Sequence, residues 1–522
     1  MKNRQQLASC LGIPEEALIQ YGRDKYKIDE EVIKQRYSKV EYETEPKGKV
    51  VLVTAITPTK SGEGKTTTVI SLTDSINKYV GHTYAIACLR EPSLGPVWGM
   101  KGGATGALKA SLYPEEDINL HFNGDIHAIT ATVNLIASVI ENHIYQGNEL
   151  NLDPDKIEWK RAVDIDDRSL KNIRVNINLK NGHEHNSQFV ITAASELMSI
   201  FCLAKDKDDL IDRINNILIG YTFEDKPVYL KDLHISKACW KMLKDAFMPN
   251  LAQTLEGSPV IIHGGPFANI SIGTNSKIAT RLATALAPLV ITEAGFGAQL
   301  GAEKYLDIVS KDWIKPEICV LVATAKALKK DGERTLEEGL EQDLQKHYDN
   351  LSRSGIKVIV ALNLFVNDKQ EDINMICDYC SKHNITCEVI DVSQKNGAIA
   401  LAKQVIKSSA INYTAKALYD NTGTFKQRLE ALCSTVYGCQ VELSEEAENK
   451  LKRAEKYGWD NFDICVAKTQ YSWCDDPKKE TGKIHVRDIW IYTGARLIVP
   501  ICGPILLMPG LSKEPRCLDW NN

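Results

Sequence analysis

Residues 49–68 read Lys49-Val50-Val51-Leu52-Val53-Thr54-Ala55-Ile56-Thr57-Pro58-Thr59-Lys60-Ser61-Gly62-Glu63-Gly64-Lys65-Thr66-Thr67-Thr68, and this stretch decides the fold. Its first half is a β-branched apolar run without alternation, the pattern of a strand buried on both faces. Its second half is a glycine-containing turn that ends in Gly-Lys-Thr, after which Lys65–Tyr79 has helical spacing. Strand, loop and helix in that order is the context a Walker A phosphate loop requires. Gly62 and Gly64 let the main chain approach phosphate oxygens with its N–H groups turned inward. A helix starting near Lys65 adds the positive end of its dipole. Lys65 reaches the β- and γ-phosphates as a point charge, and Thr66 offers a hydroxyl to Mg²⁺. Thr59 stands where the usual pattern has its first glycine, so the expected phosphate contacts are Thr59, Gly62, Glu63, Gly64, Lys65, Thr66 and Thr67. The motif implies ATP or GTP, and by itself does not say what receives the phosphoryl group.

Outward from this loop the same rhythm repeats. Tyr84–Leu89, Pro259–His263, Pro288–Glu293, Cys319–Thr324 and Lys357–Leu362 are further apolar strands, each followed by glycines or polar residues and a helix-compatible stretch. This predicts an α/β fold: a P-loop, doubly wound, mostly parallel sheet. Between about 110 and 250 the pattern is less regular and more polar. After 362 come a helix (Asp368–His383), a strand (Thr386–Val392), a helix (Ala398–Lys407), a charged helix (Ser444–Tyr457) and a β-rich end. The expected organisation is a nucleotide-binding domain in two parts, 1–110 and 251–362. An inserted lobe fills 111–250, and 363–522 forms a smaller C-terminal α/β unit.

Composition sets limits. The 522 residues carry 63 basic and 68 acidic side chains, a net charge of −5, with no basic block that would suit nucleic acid. No apolar run reaches the about eighteen residues that span a bilayer. Leu497–Leu511 is broken by Pro500, Gly503, Pro504, Pro509 and Gly510. The polar start reads as no leader, and 14 cysteines then fit reduced thiols in the cytoplasm. Cys377, Cys380, His383 and Cys387 have spacings a zinc site can use, but no second ligand pair follows; the reading is two thiols on the buried face of a helix.

Arg90-Glu91-Pro92-Ser93-Leu94-Gly95-Pro96 follows the second strand, then Gly102-Gly103. Glu116-Asp117-Ile118-Asn119-Leu120-His121-Phe122 and Gly124-Asp125-Ile126-His127-Ala128-Ile129-Thr130 come next. Further on are Gln253-Thr254-Leu255-Glu256-Gly257, His263-Gly264-Gly265-Pro266-Phe267-Ala268-Asn269-Ile270, Thr292-Glu293-Ala294-Gly295-Phe296-Gly297-Ala298, Ala467-Lys468-Thr469-Gln470-Tyr471-Ser472 and Met508-Pro509-Gly510-Leu511. Together with the loop, these runs closely resemble formate–tetrahydrofolate ligases, in order and over nearly the whole chain. The resemblance implies ATP-dependent activation of formate as formyl phosphate and transfer of the formyl group to tetrahydrofolate. It implies that Arg90 holds formate and formyl phosphate beside Lys65 and Thr67, and that Phe365 stacks on the folate ring. It also implies Mg²⁺, a monovalent cation such as K⁺ or NH₄⁺, and a homotetramer. Arg90 suits its role because a guanidinium grips a carboxylate or phosphate bidentately and keeps its charge. Asp125 and His127, as an Asp-x-His pair on a strand, face one side and share a proton, or else are satisfied core groups. Glu293 and Lys304 stand the same way. His263–Ile270 shapes a ligand wall or turns the chain.

Departures from the family pattern gather where folate is expected. The tryptophan usual in the loop after the next strand is missing: that stretch reads Asp391-Val392-Ser393-Gln394-Lys395-Asn396-Gly397, and no Trp occurs between Trp313 and Trp459. Ala107-Leu108-Lys109-Ala110-Ser111 replaces glycines, an aromatic and an amide. Gln299 and Val190 replace Asp, and Leu364 replaces a basic residue. The expected function is the ligase with an altered folate pocket. The alternatives are a nucleotide-binding paralogue without ligase activity, or a P-loop ligase for another small carboxylate.

Overall fold

Lys49–Ala55 becomes a central strand because its side chains can be apolar on both sides only where both faces of a sheet are covered. The computed structural model describes residues 1–36, 48–59, 62–101, 104–180, 182–311, 314–479, 482–503, 505 and 507–518. Lys60, Ser61, Gly102, Gly103 and Trp313 lie outside the described residues. The main sheet is built from β1 (Leu18–Gln20), β2 (Tyr26–Ile28), β3 (Lys49–Ala55), β4 (Ala85–Leu89), β5 (Asn250–Thr254), β6 (Pro259–Ile262), β7 (Leu289–Glu293), β8 (Pro316–Ala323), β9 (Lys357–Asn363) and β10 (Cys387–Ile390). Their spatial order is β1-β2-β5-β6-β4-β7-β3-β8-β9-β10. The run from β6 to β10 is parallel throughout, and β1, β2 and β5 extend it antiparallel.

Alternation along β3 splits the core. Val51, Val53 and Ala55 meet Val69, Ile70, Leu72 and Ile76 of the helix Lys65–Val80, and Leu401, Ala402 and Val405 of the helix Ile399–Ser409. Val50 and Leu52 point the other way, into a core shared with Tyr305, Leu336 and Leu344. On that second face, Ile86, Cys88, Ile261 and Val290 lie under Leu7 and Leu11 of the N-terminal helix Arg4–Leu11 and Leu282 of the helix Lys277–Leu286. In chain order we label these helices α1 (Arg4–Leu11), α2 (Lys65–Val80), α3 (Asp125–Tyr145), α4 (Lys277–Leu286), α5 (Gln345–Arg353) and α6 (Ile399–Ser409). Parallel strands run from the same end to the same end, so β3, β4, β7, β8 and β9 deliver the residues that follow them to one edge.

Residues 152–229 form small sheets of their own: Leu152–Ile157, Leu218–Thr222 and Pro227–Tyr229 in one, Arg161–Val163 parallel to Phe189–Ile191 in another. One expectation is corrected. Asp125 and His127 lie in the first turn of α3, not on a strand, because Gly124 at φ +88° starts a helix there. Beyond residue 363 the chain first gives β10 to the main sheet through parallel pairing with β9. A separate four-stranded sheet comes later, from β11 (Gln440–Leu443), β12 (Asp463–Ile464), β13 (Lys483–Tyr492) and β14 (Leu497–Cys502) in the order β11-β13-β14-β12. Cys377 and Cys380 sit in the helix Gln370–Lys382, and among the described residues no group of three or more His, Cys, Asp or Glu could hold a metal ion. No described helix is long and apolar enough to cross a membrane.

Candidate functional site

The loop after β3 is braced before any phosphate arrives. The Thr59 N–H and hydroxyl both donate to Glu63 Oε1, at 2.7 and 2.9 Å. The hydroxyl of Thr324, which follows β8, donates to Glu63 Oε2 at 2.5 Å. Glu63 is buried, so its two oxygens tie the start of the loop to its end and to the neighbouring strand. Gly62 and Gly64 take φ of +78° and +79°, a region that side chains rarely enter. A Cβ on Gly64 would also lie 2.7 Å from Asn363 Nδ2 and 2.9 Å from Thr67 Oγ1. Asn363, the last residue of β9, donates Nδ2 to the Glu63 carbonyl at 3.2 Å, while its buried Oδ1 has no partner among the described residues. Lys65 opens α2, and Lys65, Thr66 and Thr67 are half-buried at its N-terminus, where N–H groups lack helical acceptors.

Two strands away, Arg90 follows β4 and meets this loop through Glu293 at the end of β7. Glu293 accepts from Thr66 Oγ1 at 2.7 Å on one oxygen and pairs with Arg90 Nη2 at 3.4 Å on the other. One carboxylate thus brings the expected Mg²⁺ hydroxyl and the expected formate clamp to one place. Arg90 Nη1 donates to the Pro266 carbonyl at 3.4 Å, and its buried Nε has no partner among the described residues. The glycine-rich segment after β6 is therefore a wall of the site: Pro266 faces Arg90, and Gly264 accepts from the Glu91 N–H at 2.8 Å. A Cβ on Gly295 would lie 2.7 Å from Ala268 Cβ and 3.1 Å from Arg90 Nη1, so the close approach of wall and guanidinium requires a glycine. Lys304 is buried and donates to the Ala268 carbonyl from behind this wall.

Asp125 has a different setting. It is fully buried, 2.7 Å from Lys27 Nζ, and accepts from Asn250 Nδ2 at 2.5 Å. Lys27 is buried too and donates to Asn250 Oδ1 at 2.8 Å. Glu91 adjoins this cluster; burial, then the negative charge of Asp125, push its carboxyl well above the usual range. His127 lies at the surface and shares a 2.6 Å nitrogen-to-nitrogen contact with His121; partial desolvation of its ring, then that neighbour, lower its pKa. Asp125 and His127 thus point to different surroundings and do not share a proton with each other.

At the far edge, Phe365 follows β9 and is 47% exposed, with its N–H bonded to Asp368 Oδ2 at 2.8 Å. The next loop, after β10, closes on itself: the Ser393 N–H and hydroxyl both donate to Asp391 Oδ1, and Asp391 N–H donates to the Gly397 carbonyl at 3.1 Å. Gln299 donates Nε2 to the Gln470 carbonyl at 3.1 Å, and its Oε1 is buried without a partner among the described residues. Sequence reading named Arg90, Glu293 and the loop, but not Thr324 or Asn363. Both lie at C-terminal strand ends, and that position in a parallel sheet is the signal that could have found them.

Comparison with known proteins follows this geometry. A family model described as formate–tetrahydrofolate ligase matches residues 1–521. The formate–tetrahydrofolate ligase of Caldicellulosiruptor saccharolyticus is 43% identical, over 98% of this chain and 95% of its own length. That of Staphylococcus aureus strain NCTC 8325 / PS 47 is 42% identical, over 99% of this chain and 94% of its own.

Proposed function

The chain belongs to the formate–tetrahydrofolate ligase family, and from that membership we propose how its residues divide the work. The protein ligates formate to tetrahydrofolate with ATP, giving 10-formyltetrahydrofolate, ADP and phosphate. A formate oxygen attacks the γ-phosphorus as the bond to ADP breaks; N10 of the folate then attacks the formyl carbon and phosphate leaves. Formate is a poor acceptor until one oxygen carries a phosphoryl group, so the protein must hold two anions together away from water.

The observation that carries this reading is the Glu293 bridge between Thr66 and Arg90. It supports a site in which the loop amides and Lys65 take the triphosphate. Arg90, with Thr67 nearby in the loop, takes formate and then formyl phosphate. Thr66 Oγ1 and the Glu293 carboxylate, 2.7 Å apart, are hard oxygen donors of the kind Mg²⁺ prefers. They would hold it, and bound there the ion neutralises charge on the phosphates. Asp125, paired with Lys27, we assign to holding Glu91 and the Arg90 segment, and His127 to the cleft rim. Phe365 is the folate platform, on one side only, because the loop 391–397 offers no second aromatic ring.

We assign the sheet to the P-loop doubly wound class, on its parallel order and the helices on both faces. Residues 1–110 and 251–362 make the nucleotide-binding domain, 111–250 the inserted lobe, and 363–522 the C-terminal unit beside the folate site. Fourteen free thiols support a cytoplasmic location. Homotetramer assembly and activation by K⁺ or NH₄⁺ come with the family. The test is ATP turnover with and without formate and tetrahydrofolate. Turnover that needs both supports the ligase, and ATP binding without turnover would support the paralogue reading.

A further inference from the structure

The root of the phosphate loop is held by a charged cluster that none of the expected site residues explains. Ile56 N–H still donates to Val322 of β8 at 3.1 Å, so the chain leaves the sheet at Thr57. Thr57 Oγ1 donates to Asp343 Oδ1 at 2.7 Å. Asp343 Oδ2 accepts from Arg334 Nη2 at 2.9 Å, and His347 Nε2 stands 3.2 Å from both Asp343 Oδ1 and Thr57 Oγ1. Thr57, Asp343 and His347 are all buried. Arg334 is tied in turn to the carbonyls of Ala327 and Leu328, in the turn that follows β8. The face of Trp473 closes over the imidazole, with ring centres 4.4 Å apart.

The helix that supplies Asp343 is built for this contact. Leu340–Leu344 is a π-helical turn between Leu336–Gly339 and α5, and such turns shift the side chains after them and recur at functional sites. A Cβ on Gly339 would lie 2.0 Å from the Leu328 carbonyl, so the helix lies against that turn only because this residue is glycine. Burial alone would raise the Asp343 carboxyl; His347, Arg334 and Thr57 together hold it down at about 2, and it stays charged. A buried charge cluster of this kind is a poor source of stability compared with apolar packing. What it supplies is a fixed direction for one hydroxyl.

We propose that Asp343 and His347 are positioning residues for the nucleotide: they fix Thr57, and through it the conformation in which the loop receives a triphosphate. With the Glu63 brace, the loop is then gripped at its root by one carboxylate and across its span by another. The inference rests on the phosphate-loop reading above, and its test separates the two.

The experiment is steady-state kinetics on the full-length Thr57→Val, Thr57→Ser and His347→Gln variants, with Lys65→Ala as control. Thr57→Val keeps the shape and loses the donor. Its KM for MgATP should rise about tenfold, the size of one hydrogen bond to a charged group. KM values for formate and tetrahydrofolate should hold within about twofold, and Thr57→Ser should restore the wild-type value. His347→Gln should shift the same constant in the same direction, and it replaces Thr57→Val should that variant not fold. An unchanged KM for MgATP in Thr57→Val, or an equal rise in all three constants, with Lys65→Ala inactive, overturns the positioning role alone. Full turnover by Lys65→Ala overturns the phosphate-loop reading beneath it.

Discussion

In the proposed site, replacing Lys65 by alanine would leave the transferring phosphoryl group without its ammonium, and turnover should fall about 10²–10³-fold in an ADP-release assay. Arg90→Ala should be as severe for formate-dependent turnover yet leave ATP binding, read by calorimetry, within a few-fold; equal loss of both would make Arg90 a nucleotide residue. Phe365→Ala should raise the KM for tetrahydrofolate about three- to tenfold, the worth of one stacked ring, and leave the KM for ATP alone. Phe365 already stands 47% exposed, so its removal opens no core cavity. At this scale the sequence is readable where structure is local: Gly62 and Gly64 take positive φ and Lys65 opens α2, as their spacing requires. Asp125 was not readable, because Lys27 and Asn250, which decide its environment, lie 98 and 125 residues away.

Among elements, the loop between β3 and α2 is tied down at its described residues Thr59 and Glu63. Gly64→Ala puts a Cβ 2.7 Å from Asn363 Nδ2 at a φ of +79°, so it should destabilise by about 1–3 kcal/mol and lower activity. Thermal melting with turnover at low temperature checks this; a wild-type melt with full activity would mean the loop does not hold this conformation. Strands were legible as elements because burial on both faces leaves an unbroken apolar run: Lys49–Ala55, Leu289–Glu293 and Lys357–Asn363 fall within a residue or so of their expected limits. The start of α3 was not legible, since Asp125 to His127 is too short to separate a helical period from an alternating one. The π turn at Leu340–Leu344 leaves no mark in composition at all.

Over the whole molecule, the segment of small sheets at 152–229 reaches back to the chain just after Arg90 through Asp164. Asp164 accepts from Ser93 Oγ at 2.6 Å and from the Leu94 N–H at 2.9 Å, just after Arg90. Burial pushes it up to about 6, against hydrogen bonds from Ser93 and Leu94 that lower it. Its folded pKa lies above its unfolded one of 3.8, so its stabilisation is full below about pH 4 and is lost as pH rises through 6. Asp164→Asn should remove that part of the pH dependence, at most about 3 kcal/mol between pH 4 and 7. Parallel wild-type and variant melting curves across this range would refute it. The chain's membership of its family was legible from ordered motifs, whereas the long-range contacts, Asp164 to Ser93 or Asp343 to Thr57, exist only once the chain is folded.

The most direct measurement is the yield of 10-formyltetrahydrofolate against ADP when the protein is given ATP, formate and tetrahydrofolate. One formyl product per ADP, and neither product when formate is left out, is the result expected of a loop and guanidinium that work on the same two anions. ADP formed at the same rate without formate, or without any formyl product, would contradict it.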